Sequence, residues 1–69
     1  MTHVYNKPSY QLTFEDAVQV HLMLMDGWFA NRIAAHFDVN PGRISDVKFG
    51  RLHEGSYEAA MKRRRSAAA

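Results

Sequence analysis

Cysteine is absent from this 69-residue chain. Disulfide stapling, thiolate metal sites and cysteine nucleophiles are thereby excluded, and a reducing compartment fits. No apolar run approaches the roughly 20 residues that a membrane-spanning helix needs. The N-terminus also lacks the layout of a secretory leader. A soluble cytoplasmic protein with no membrane partner is expected. The histidines, His3, His21, His36 and His53, are too scattered for metal-ligand spacing. No Ser-His-Asp grouping stands out, and a chain this short has little room for a catalytic pocket. No enzymatic activity, metal or cofactor is expected.

Charge is scarce too, at a formal net +2, but it is unevenly placed. Residues 1–37 hold Lys7 and Arg32 against Glu15, Asp16 and Asp26. Residues 38–69 hold Arg43, Lys48, Arg51, Lys62, Arg63, Arg64 and Arg65 against Asp38, Asp46, Glu54 and Glu58. The cationic half thus begins in the middle of the chain, the distribution expected of a nucleic-acid binder. The length allows one domain, near the lower limit for a self-sufficient core, and dimerisation would relieve that shortage.

What the chain does have is a patterned run from Phe29 to Phe49. Ile33, Ala34 and Phe37 share one side of a first helix. Ile44 and Val47 share one face of a second. Asp38, Val39 and Asn40 lie between, with Val39 placed to plug the gap. Asn40 suits an N-cap, and Pro41 suits the first helical position, where its missing N–H costs nothing. The spacing predicts two short helices set at a steep angle.

This run resembles the helix-turn-helix of bacterial and phage DNA-binding regulators. The small residue of the first helix matches Ala34, the apolar residue three later Phe37, and the apolar turn residue Val39. The apolar positions five and eight further on match Ile44 and Val47. The family usually has Gly before the apolar turn residue, where φ is positive; here stands Asp38, which tolerates that region better than most residues. The motif covers about a third of the chain. The resemblance implies a DNA-binding transcriptional regulator, associated with the nucleoid, whose second helix, about residues 41–49, enters the major groove.

The rest of the chain divides around that run. Residues 1–12, interrupted by Pro8 and Ser9, read as an irregular arm. Residues 13–55 form the helix-turn-helix domain, opened by a helix from Thr13 to about Met25. Thr13 is expected to cap it, but with Asp16 in place of the usual Glu no full capping box is expected. Asp26-Gly27 should stop it. This helix is apolar most of the way round. A three-helix domain is too thin to wrap it, so Val20, Met23 and Leu24, with Trp28, are expected in a homodimer contact. Residues 56–69 form a basic helix and tail, with Ser56 as its cap and Tyr57, Ala60 and Met61 against the body. The expected fold is all-α, a bundle of three to four helices with an irregular N-terminal arm.

On the DNA-binding reading, Asn40, Gly42, Arg43 and Asp46 face base edges. Arg43 is suited to guanine, and Asn40 either to adenine or to capping its own helix. Asp46 either accepts from cytosine or orients Arg43. Asn31, Ser45, Lys48, Arg51 and the run Lys62, Arg63, Arg64, Arg65 are expected on phosphates, which fix register without reading sequence. Two other readings fit the same pattern. One is a protein-interaction module on this scaffold that binds RNA polymerase or another regulator. The other is a DNA-binding subunit of a phage packaging or recombination assembly.

Overall fold

The computed structural model describes residues 10–68. Its elements are α1 (Phe14–Met25), α2 (Ala30–Phe37), α3 (Pro41–Lys48) and α4 (Ser56–Ala68), with no strand among the described residues. The all-α architecture expected from the sequence is what the chain adopts. Most of the expected arm, residues 1–9, lies outside the described residues. Its last residue, Leu12, is buried in the core, so the domain begins before Thr13.

Each helix end has a local cause. At the start of α1, the Thr13 side chain accepts from the Asp16 N–H at 3.0 Å, and the Asp16 carboxylate accepts from the Thr13 N–H at 3.0 Å. The full capping box is therefore present, against expectation. Asp, though shorter than Glu, reaches back far enough, and the Tyr10 hydroxyl donates to the same carboxylate at 2.7 Å. Partial burial pushes the Asp16 carboxyl up. The hydrogen bonds from Thr13 and Tyr10 outweigh that and leave its pKa below the ordinary value.

Helix α1 ends where Gly27, at φ +92°, lets Trp28 N–H reach the Met23 carbonyl and Gly27 N–H the Leu24 carbonyl. This is a Schellman closure, which satisfies carbonyls the helix would otherwise leave open. Helix α3 ends in the same way at Gly50 (φ +77°), with Arg51 N–H on the Asp46 carbonyl and Gly50 N–H on that of Val47. At the end of α2 the left-handed residue is Asp38, at φ 58° and ψ 47°, as the sequence demanded of it. Ser56 is the first residue of α4 and is buried, so it does not sit outside the helix as a cap.

Helix α1 is the hub: α2, α3 and α4 all pack on it, and α2 and α3 pack on each other. On one side Ala17 and Val20 join Leu12, Ile33, Ala34, Ile44 and Val47 in a single apolar cluster. On the side where the His21 ring meets Tyr57 edge-on at 5.4 Å, Val18 and His21 are buried and α4 provides the cover with Ala60. Burying an aliphatic side chain of this kind contributes roughly 1.5–3 kcal/mol. The fourth helix thus closes what three could not, and it belongs to the body rather than to a separate tail.

The cover that α2 and α3 give to α1 corrects the expected dimer contact. Val20 is 0% exposed inside its own chain, so no partner reaches it. Met23 and Leu24 are half-buried against the same cluster. Only Trp28 of the expected set stands well out, edge-on to His36, and Phe29 beside it is 75% exposed.

His21 supplies a test of the α1–α4 contact. Burial pushes its imidazole pKa below the ordinary 6.5, against the opposing pull of Glu58 and the Val47 backbone. The unfolded chain therefore takes up a proton near pH 6.5 more readily than the folded chain does. Stability should fall as pH drops through that value. His21→Phe, which keeps a ring against Tyr57, should flatten this slope. Urea melts of both proteins at pH 7.5 and 5.5 measure the difference; equal losses would place the acid sensitivity elsewhere.

Candidate nucleic-acid interface

The turn between α2 and α3 sets the direction of α3. Val39 N–H bonds the Ala34 carbonyl at 3.0 Å, and the Val39 side chain packs against the core between the two helices. Asn40 then caps α3, its side-chain oxygen accepting from the Gly42 N–H at 2.7 Å. Pro41 follows at the first position. Ile44 and Val47 face fully inward. With 3.6 residues per turn, the opposite ridge falls on Gly42, Ser45, Asp46 and Phe49, with Arg43 and Lys48 on its flanks.

A connected set of side chains runs along this ridge. Arg43 Nη2 lies 2.7 Å from Asp46 Oδ2, and Arg51 Nε lies 3.1 Å from Asp46 Oδ1. The two arginine side chains are 56% and 60% exposed while that of Asp46 is 23% exposed. The carboxylate is covered and the guanidinium groups face outward. Exposed ion pairs contribute about 0–1 kcal/mol, so the consequence is orientation more than stability. Arg51 continues to Phe49, its guanidinium carbon 5.5 Å from the ring centroid, and Lys48 Nζ lies at the same distance. Three cations stand here against one carboxylate, a surface that favours an anionic partner.

The structure brings together most of the residues that the sequence singled out. Asn40, Gly42, Arg43, Ser45, Asp46, Lys48 and Arg51 all lie on α3 or its flanks. Asn40 caps its helix, and Asp46 is paired with Arg43 and Arg51. One lone pair of the Asn40 oxygen is taken by the Gly42 N–H, and the cap fixes the direction of its amide. Gly42 has a reason within the fold: a Cβ there would stand 3.1 Å from the Asn40 side-chain oxygen and crowd the cap.

Asn31 is exposed in the first turn of α2. The run Lys62–Arg65 is on α4, whose packing partner is α1. Two of its members are already engaged there. Arg63 forms a two-pronged pair with Glu15 at 2.6 and 3.0 Å, and Arg64 reaches Asp26 at 2.8 Å. The hydrogen bonds from Arg63 hold the Glu15 carboxyl below its ordinary pKa.

Two features escaped the sequence. Phe49 is 64% exposed and lies outside the core and the residues packed on it. Its spacing from Ser45, together with cations at Lys48 and Arg51, was the available signal. His53 has φ 55° and donates from Nε2 to the Leu12 carbonyl at 2.6 Å. That contact ties the loop after α3 to the segment before α1 and walls an open groove of about 820 Å³ beside Arg43, Asp46 and Arg51. Nothing in the local sequence announced it, since the partners are 41 positions apart.

Among the described residues, no group of His, Asp or Glu comes together in a way that could hold a metal ion, and no helix is long and apolar enough to cross a membrane. Compared with known proteins, the chain matches no family model, no curated protein and no solved structure.

Proposed function

We propose that this protein binds double-stranded DNA sequence-specifically, as a small bacterial or phage transcriptional regulator, with α3 in the major groove. The observation that carries the reading is Asp46 on the outward ridge of α3, holding Arg43 on the flank and Arg51 just past the helix end, while Ile44 and Val47 lock the inner face. A short helix with a rigid inner face and an oriented arginine on its outer one is what reading base edges requires. Arg43 is the base reader, pairing with guanine through two parallel hydrogen bonds. Asp46 is a positioning residue that fixes the fork of Arg43. Ser45, Lys48 and Arg51 contact phosphates and set register. Asn31 extends the phosphate contacts from α2.

A second copy completes the reading. One eight-residue helix covers only a few base pairs, whereas two copies set about 34 Å apart read a two-fold symmetric site. The exposed corner of Trp28 and Phe29 is where the copies meet. Sedimentation velocity should give a dimer for the native chain and a lighter species for the Trp28→Ala, Phe29→Ala double variant. Identical masses would remove this corner from the contact.

Arg43→Ala should weaken binding to a matched duplex by roughly 1–3 kcal/mol per site while leaving a scrambled duplex nearly unaffected. Equal losses on both would mean that Arg43 reads no base. Asp46→Asn should do something different. Removing one negative charge raises affinity for scrambled duplex, and the loosened Arg43 narrows the ratio of matched to scrambled binding. Titrations of both variants on both duplexes at one salt concentration separate these roles. If native protein retards no genomic fragment, the surface serves a protein partner instead.

A further inference from the structure

Phe49 is out of place for a folding role. It is 64% exposed, and it belongs neither to the buried cluster nor to the half-buried shell around it. It stands on the outward ridge of α3, directly away from Ile44 and Val47, in line with Gly42 and between Ser45 and Asp46 on the helical wheel. Every other outward residue of that helix is small, polar or charged. The ring is held in a cationic setting, with Lys48 Nζ and the Arg51 guanidinium each 5.5 Å from its centroid. Arg51 is in turn fixed by Asp46. An apolar ring is thus presented on the proposed reading surface, at a set place relative to Arg43, by groups that suit a polyanion.

Duplex DNA offers one apolar group on the major-groove base edges, the 5-methyl of thymine. Resting on the reading given above, we propose that Phe49 is a specificity-determining residue that packs its ring against a thymine methyl. Six residues of helix separate it from Arg43, about 9 Å along the axis. At 3.4 Å per base step, the thymine lies about two to three base pairs from the guanine that Arg43 reads. Lys48 and Arg51 face the phosphates on either side and keep the ring at the groove.

The test removes the methyl and nothing else. A duplex enriched by the native protein from a random pool is resynthesised with deoxyuridine at every thymine. Native protein should bind the uridine duplex about four-fold more weakly per contacted methyl, the value expected for one buried carbon. Phe49→Ala should bind the thymine duplex as weakly as native protein binds the uridine one, and should show no further loss on the exchange. Phe49→Leu, which retains an apolar side chain, should keep part of the difference. Equal losses for native and Phe49→Ala protein, or no loss for native protein, would overturn the proposal while leaving DNA binding intact. Failure to enrich any duplex would overturn both. Circular dichroism of each variant checks that the fold is kept.

Discussion

A helix that is apolar on nearly all sides has to be covered on two flanks at once, and the placement of every other element follows from that demand on α1. Val20 and Ala17 require a lid on one flank, which α2 and α3 provide with Ile33, Ala34, Ile44 and Val47. Val18 and His21 require another, which α4 provides with Ala60 and Tyr57. With no disulfide available, the double cover is what makes a chain this short hold together. It also fixes α3 from behind, and a helix fixed from behind is free to present its other side.

The outward side of α3 depends on that rigidity in a specific way. Asp46 is the joint of the ridge: it holds Arg43 on one side and Arg51 on the other, and through Arg51 it steadies the Phe49 ring. Its own charge is covered by the groups it orients. Facing outward, it would offset the positive potential of the cations beside it. Here it is the reason that two guanidinium groups hold defined directions.

Local chemistry was legible in the sequence and long-range covering was not. The two short helices, the turn at Asp38, the Asn40 cap, Pro41 and the inward pair Ile44 and Val47 all follow from interactions within a few residues, and each stands where the pattern put it. Val20 was misplaced because periodicity shows that a residue needs cover but not which element supplies it. Its cover comes from α2 and α3, through Ile33, Ala34, Ile44 and Val47, all further along the chain. The same limit applies to Arg63 and Arg64, expected on phosphates, because their partners Glu15 and Asp26 lie 48 and 38 positions away. Phe49 was passed over for a different reason. Aromatic residues are usually read as core, and only the register of α3 against its buried face turns this one outward.

The closures at Gly27, Asp38 and Gly50 are all made by backbone groups within five positions of one another. Helices α1 to α3 therefore bend back on themselves with little loop to close, a low contact order that favours rapid collapse. Helix α4 is the exception, since its contacts on α1 span most of the chain. The α4 contact is thus the long-range clasp of the fold: opening it would bare the His21 flank of α1 and leave the cluster that backs α3 intact.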